Sequence, residues 1–342
     1  GGSQNTLVGN HTGYNITTGD GNTCVGRYAA GDSAGSGTNC TGNNNTLIGL
    51  LAGTQVTTGS NNVALGGYAL DATTTGSENT ALGYNSLSDN TTGANNVAVG
   101  KNALMDATTG DGNVAIGYEA LKFQSTISQS TAVGYQALMT QVASGSDNTA
   151  IGYEVLKNAD GADFCTAVGH RSSMAITTGQ YNTAMGVGSL LAATDSNYNT
   201  AIGSGSLRYL VGATGHNTAV GHNALHNVTT GYSNVAMGVD TGDTITTGYD
   251  NTYIGRHADA SAAGVTQEIA LGSNRAGAGS NTFMVKGASG VYNSGNTTAW
   301  QTTSDSRIKK NIVDNNTGLD ILNQIQVRNF EYRTEEEIVD FD

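Results

Sequence analysis

Asn79-Thr80-Ala81-Leu82-Gly83, Asn96-Val97-Ala98-Val99-Gly100 and Asn113-Val114-Ala115-Ile116-Gly117 are copies of one pentapeptide set 17 residues apart. The closing glycine recurs at Gly9, Gly26, Gly49, Gly66, Gly83, Gly100, Gly117, Gly134, Gly152, Gly169, Gly186, Gly203, Gly221, Gly238, Gly255 and Gly272. Of the fifteen spacings, twelve are 17 residues, two are 18 and one is 23. A fixed period of this length is the signature of stacked supersecondary units, each packing only on its neighbours.

Taking that glycine as position zero, the other columns follow. Position −1 is Val, Ile, Leu or Met from Val8 to Leu271, and position −3 is Thr, Val or Ile throughout. Position −2 is Ala in an unbroken run from Ala64 to Ala236. Position −4 is Asn except at Ser130, Cys165 and Glu268, and position +4 is Leu in nine coils, among them Leu70, Leu87, Leu104 and Leu121. Position −7 is usually Gly, often within Thr-Thr-Gly as at Thr91-Thr92-Gly93.

The small and β-branched run from −3 to −1 predicts a strand. Both of its faces are apolar, so both are expected to be buried. One face looks into its own coil to meet Leu at +4, and the other packs on something else. The small Ala/Gly face suggests close approach by another chain. The glycines at −7 and zero mark turns or tight backbone contacts. The Asn column, Asn62, Asn79, Asn96 and Asn113 among them, is expected to stack as an amide ladder. The fold class is therefore all-β: a parallel β-solenoid or β-roll of about sixteen 17-residue coils over residues 1–272. At strand spacing the rod is roughly 75 Å long. So slim a coil encloses little core, and lateral association into a homotrimer is expected, although the sequence alone leaves two chains open. Gly2 already occupies position −7 of the first coil, which suggests a piece of a longer fibre.

Composition agrees. There are 49 glycines in 342 residues and no proline, where an average chain carries about 7% and 5% of each. Proline cannot donate to a ladder, so its absence suits a chain laddered along nearly its whole length. Aromatic residues make up 6%, too few for a large conventional core. The net charge of −13 argues against a nucleic-acid partner. No apolar run is long enough for a membrane span, and no signal peptide is evident. Cys24, Cys40 and Cys165 are odd in number and lack metal-like spacing, so free thiols are expected.

The repeat resembles the head of trimeric autotransporter adhesins, in which Asn-x-Val/Ala-Ile-Gly coils form a left-handed parallel β-roll of three chains side by side. Asn113-Val114-Ala115-Ile116-Gly117 and Asn199-Thr200-Ala201-Ile202-Gly203 carry the likeness. The coil here is longer than that family's usual one, which implies a different outer loop.

After Gly272 the period fails: Asn281-Thr282-Phe283-Met284-Val285 arrives early. Phe283, Tyr292 and Trp300 suggest that residues 273–303 form a plug over the open end of the rod. Of the 27 acidic and 14 basic residues, 9 and 5 fall within 305–342, which marks a boundary at Ser304. Beyond it, Leu319, Leu322 and Ile325 have helical spacing and 327–333 suggests a strand. The motif Ser304-Asp305-Ser306-Arg307-Ile308-Lys309 is similar to the start of the endosialidase-type intramolecular chaperone of phage tail fibres and spikes. The likeness implies that residues 304–342 begin a small α+β domain that trimerises the chain and then cuts itself off. It further implies Ser304 as nucleophile, Lys309 as its general base, Asp305 and Arg307 as motif support, and Thr303–Ser304 as the scissile bond. A serine becomes a useful nucleophile once a neighbouring base takes its proton, and lysine is such a base when its pKa is lowered.

Other features carry two readings each. Thr-Thr-Gly-Asp-Gly-Asn at 17–22 and 108–113 resembles glycine-rich calcium coils, but the next coils lack the pattern and a polar turn accounts for it. His222 and His226 would suit a metal on a helix; in a solenoid they straddle a turn, and no metal is expected. The many Gly-x-Gly stretches follow from the repeat and carry no nucleotide-binding weight. Tyr118, Tyr135 and Tyr153 share position +1 of consecutive coils and should stack, with Tyr84 two coils earlier. Such a strip is a glycan contact or a stabilising cross-strand ladder. The excursion from Gly31 to Thr41 is a receptor loop or neutral drift.

These readings converge on a structural protein without cofactor: the shaft of a virion appendage such as a phage tail fibre, meeting a host surface receptor, glycan included. Its only enzymatic step would be a single-turnover self-cleavage. A bacterial trimeric cell-surface adhesin is the alternative, distinguished by a coiled-coil stalk and membrane barrel in place of the chaperone. A depolymerising enzyme on a β-helix would need a carboxylate pair on one face, and the coils are expected to lack one.

Overall fold

The computed structural model describes residues 2–31, 39–141, 145–212, 215–285, 291–294 and 301–302. Gly1–Thr302 form one compact unit and Thr303–Asp342 a second; the second lies outside the described residues. Among the described residues there is no helix. Every −3 to −1 segment is a three-residue strand, from Thr6–Val8 through Thr80–Leu82 to Ile269–Leu271. Each interior strand pairs in parallel, residue on equivalent residue, with the coil before and the coil after: Val63↔Thr80↔Val97, Ala64↔Ala81↔Ala98, Leu65↔Leu82↔Val99. The chain is a parallel β-solenoid of about sixteen turns.

The bonding extends beyond the strands. Within the coil of Gly83, Thr80 N donates to Asn96 O at 2.8 Å and Gly83 N to Leu65 O at 2.9 Å, so one coil is tied both forward and back. The first Thr of Thr-Thr-Gly joins in with its side chain: Thr57, Thr74 and Thr91 each donate Oγ1 to the carbonyl of the equivalent Thr one coil on, at 2.9–3.0 Å. That hydroxyl ladder is why the column holds Thr.

The Asn column forms the amide ladder with full use of its side chain. Asn96 Nδ2 donates back to Asn79 Oδ1 (3.2 Å) and forward to Gly110 O (2.8 Å). Asn96 Oδ1 accepts from Asn113 N (2.9 Å) and Asn113 Nδ2 (3.1 Å). Asn62, Asn79, Asn96 and Asn113 are all fully buried, so an unmatched amide would be costly there. The exceptions to Asn are local endings of the ladder. Ser130 is too short to continue it, and its Oγ is buried without a partner. Cys165 Sγ still reaches Gly179 O at 3.3 Å. Buried Glu268 closes the column, accepting from Tyr253 Oη (3.1 Å), Ser261 N (3.1 Å) and Gly279 N (2.7 Å).

The glycine at zero is required twice over. Gly83 has φ 142°, and a Cβ there would lie 2.5 Å from Gly100 O; adjacent coils simply touch at this column. The coil also bends through left-handed residues that are not glycine, Glu78 (φ 61°), Asn85 (φ 52°) and Leu87 (φ 52°) in the coil of Gly83. Each costs about 1–2 kcal/mol. For Leu at +4, full burial returns roughly 1.5–3 kcal/mol, which holds the bend in place.

The faces of the strand are arranged opposite to one expectation. The Ala column points inward, with Ala64, Ala81, Ala98 and Ala115 wholly buried in one core with Leu70, Leu87, Leu104 and Leu121. It is the −3 and −1 columns that face outward, Leu65, Ile116, Ile151 and Met237 being exposed. The reason is volume: the coil is so slim that its two walls share one layer of side chains. Where −2 is large the opposing residue shrinks. Leu47 sits against Gly53, whose hypothetical Cβ would lie 2.7 Å from Leu47 Cδ1, and Tyr253 sits near Gly242. The small face is therefore not where a second chain approaches.

At the far end, Thr282–Val285 pairs in parallel with Ile269–Leu271, and the sheet then turns antiparallel through Val291–Ser294 and Gln301–Thr302. The insertion leaves the coil at Gly31 and rejoins it at Cys40, which bridges Ile16; residues 32–38 lie outside the described residues.

Asn96→Ala should destabilise the surrounding coils by about 3 kcal/mol, since it strands the Asn113 N–H and the Gly110 carbonyl and takes one bond from each neighbouring amide. Hydrogen exchange should show the loss centred on residues 79–113. Unchanged protection there would show that the ladder is not what holds the coils.

Candidate functional site

Side chains in one column of a solenoid lie one coil apart, so any surface feature here is a row. Three rows carry chemistry.

The first is at position +1. Tyr118, Tyr135, Tyr153 and His170 stack in sequence with ring centroids 5.2, 5.2 and 5.1 Å apart and planes within 12°. The three tyrosines are exposed. Because the rings stack along the rod, each interior ring covers its neighbours' faces, and the row offers solvent a line of ring edges and phenol groups. Tyr84 stands apart: Lys101 occupies +1 of the intervening coil, and Tyr84 meets Tyr68 edge-on at 5.7 Å. Beside the row, Glu154 binds Lys157 Nζ (2.7 Å) and Arg171 Nε (2.8 Å). Those bonds, Lys157 first, hold its carboxyl below the usual range.

The second row lies at −5 and was not anticipated. Phe164, Tyr181, Tyr198 and His216 stack at 5.0 Å spacing. Its signal was present in the sequence as four aromatic or imidazole side chains in one column. It was obscured because that column is otherwise occupied by Asn, Gln, Asp, Glu, Gly or Ser.

The third row corrects an expectation. The coils do bring carboxylates together: Asp71 and Asp89 line a groove of ≈ 320 Å³ with Tyr68 and Tyr84, and Asp106 follows in the next coil, within electrostatic reach of Asp89. The sequence hid this because Asp71 sits at +5 while Asp89 and Asp106 sit at +6, so no single column shows them. Burial, and then the Asp89 charge, push Asp71 up to about 6. Burial and Asp89 raise Asp106 as well.

The remaining candidates resolve into structure. Asp111 Oδ1 accepts from Ala94 N at 2.7 Å and Asp20 Oδ1 from Ser3 N at 2.5 Å, so the Asp of each Thr-Thr-Gly-Asp-Gly-Asn stretch caps a backbone N–H of the preceding coil. His222 is exposed and lies 3.5 Å from Asp240, and His226 contacts Asn227 at 3.2 Å. Among the described residues no group of three or more His, Cys, Asp or Glu could hold a metal ion. The three cysteines are free and buried; burial pushes Cys24 up to about 12 and Cys165 to about 11, which keeps them as unreactive thiols. No helix among the described residues is long and apolar enough to cross a membrane. Ser304, Asp305, Arg307 and Lys309 lie outside the described residues.

Asp71 gives a pH test. Its folded pKa lies above the ordinary 3.8, so the folded state holds the proton more tightly than the unfolded chain. Its stabilising contribution is complete below about pH 4 and is lost as pH rises through about 6. Allowing for partial solvent screening, the loss is on the order of 1 kcal/mol. Thermal unfolding should fall between pH 4 and 7 in the native chain and fall less in Asp71→Asn. Identical pH profiles for the two would show that Asp71 is not the titrating group.

Compared with known family models, with curated proteins and with solved structures, the chain matches none.

Proposed function

We propose that the chain is the shaft of a virion appendage of the tail-fibre type, built from three parallel copies, which helps to attach the particle to a host cell. The observation that carries the reading is the outward sheet face. In all sixteen coils its −3 and −1 columns contain only Thr, Val, Ile, Leu and Met, and no charge interrupts them. Three residues wide and sixteen strands long, the face measures about 10 Å by 75 Å. That is close to the roughly 800 Å² per partner of a standard stable interface. A second and third copy in the same register would meet it coil for coil, along the aliphatic −1 row and the −3 row of Thr, Val and Ile. So long an uncharged face with an unbroken aliphatic row is itself an argument for a partner.

The Ser304–Lys309 motif supports the virion reading over the bacterial adhesin. Parallel coils in several chains must start in register, and non-local β pairing is slow and error-prone. A C-terminal chaperone would align the chains, and its removal would leave the rod kinetically trapped.

Two experiments test this. In sedimentation the native chain should run as an elongated trimer. Placing charges on the outward face, as in Ile116→Asp with Ile151→Asp, should give folded monomers. A soluble native monomer, or trimers unaffected by both charges, would refute the interface. In the full-length gene product, denaturing gels should show a fragment ending at Thr303 in the native protein and none in Ser304→Ala or Lys309→Ala. Equal cleavage in Ser304→Ala would remove the serine from the mechanism.

A further inference from the structure

The +1 aromatic row stops at His170 because the next coil carries Val187 in that column. Two other changes from the coils just before fall at the same place. At +2 the preceding coils carry Gln136, Glu154 and Arg171, whereas the next two carry Gly188 and Gly205. At +5 the coil of Gly203 carries Arg208. The result is a groove of ≈ 210 Å³ lined by His170, Arg171, Met174, Val187, Leu191 and Arg208, with Gly188 in its lining.

Gly188 is not demanded by the backbone. Its φ of 61° is left-handed, but Gln136 (51°), Glu154 (50°) and Arg171 (54°) adopt the same conformation at the same position. What its lack of a side chain provides is room. A Cβ at Gly188 would lie 2.6 Å from Arg208 Nη1, so the guanidinium occupies the space that a +2 side chain would claim.

The charge at this spot runs against the rest of the rod. The chain has a net charge of −13, yet two arginines and a histidine converge here. Arg171 is partly neutralised: its Nε donates to Glu154 at 2.8 Å. Arg208 has no ion pair among the described residues, and its ring neighbour is Tyr209 at 5.9 Å. A half-buried guanidinium without an anion presents a planar fork of donors suited to a carboxylate or phosphate. Beside it, Met174, Val187 and Leu191 form an apolar wall, and one face of the His170 ring is free of the stack that covers the other. Apolar wall, ring face and cationic fork together match a sugar that carries an anionic group.

We infer that the groove between His170 and Arg208 binds an acidic glycan, its carboxylate or phosphate held by Arg208 and its sugar face against His170 and the aliphatic wall. The groove lies at +1, +2 and +5, outside the −3 and −1 columns proposed to pack chain on chain. The inference rests on the proposed function only in that the shaft meets a polymer-coated cell surface.

The test titrates the purified fibre with three probes: oligogalacturonate for the carboxylate, poly(ribitol phosphate) for the phosphate, and neutral dextran. At least one acidic polymer should bind, more weakly as salt is raised, and dextran should not. Which acidic polymer binds identifies the anion. Arg208→Ala should weaken binding at least tenfold. Gly188→Gln, which restores the side chain found at Gln136, should do the same by displacing Arg208. Arg256→Ala, on a distant coil, should bind as the native fibre does. Thermal unfolding and sedimentation of each variant separate loss of the groove from loss of the fold or of the assembly. The inference fails if neither acidic polymer binds, if dextran binds equally well, if Arg208→Ala and Gly188→Gln both retain native affinity, or if Arg256→Ala loses as much as they do.

Discussion

Contact between successive glycines at position zero fixes almost everything else in the solenoid. With Gly83 and Gly100 touching backbone to backbone, each coil must overlie the last at strand spacing, and every column is brought into register with its own copies. Register then makes side-chain ladders possible. An Asn can use both amide hydrogens and both lone-pair directions only if the same residue waits at the same place above and below. Replace one by Ser130 and the hydroxyl is left buried with nothing to bond. The repeat is thus strict where atoms touch between coils and loose where they face solvent.

Within the coil the governing quantity is volume. The Ala and Leu columns share one layer, and the pairs Leu47 with Gly53 and Tyr253 with Gly242 show that total size matters more than which wall supplies it. This thrift explains why the larger aliphatic residues at −1 and −3 end up outside. There is no second layer to receive them, so within the single chain they stay exposed. A solenoid of wider coil would have room to bury both faces itself.

Most of the architecture was legible because stacking turns sequence period directly into spatial column. Strand positions, the Asn ladder and the Tyr118–Tyr135–Tyr153 stack all lie in single columns of the alignment, and the structure places them so. Legibility failed in two ways. Alternation told that both strand faces were apolar but not which was inside, since that depends on the cross-section of the coil and not on the strand. Features that slip between columns were also invisible: Asp71 at +5 meets Asp89 at +6, and Arg208 at +5 fills the void over Gly188 at +2. Side chains several atoms long reach diagonally across coils, and a column-by-column reading has no way to register that.

That same geometry limits where a rod of this kind can carry recognition. Columns at −7, −4, −2, zero and +4 are committed to backbone contact, ladders or core, and a substitution there is felt by two neighbouring coils. The columns at −5, +1, +2 and +5 lie mostly at the surface and vary from coil to coil. Any site on the solenoid is therefore assembled largely from residues in those columns, as in the groove of Asp71 and Asp89 and the groove of Arg208. Around Gly186 several changes coincide: an aromatic row ends, a side chain at +2 is deleted, and an arginine enters at +5. On a repetitive scaffold a coincidence of exceptions is more informative than any repeated feature, because stacking alone gives no reason for it.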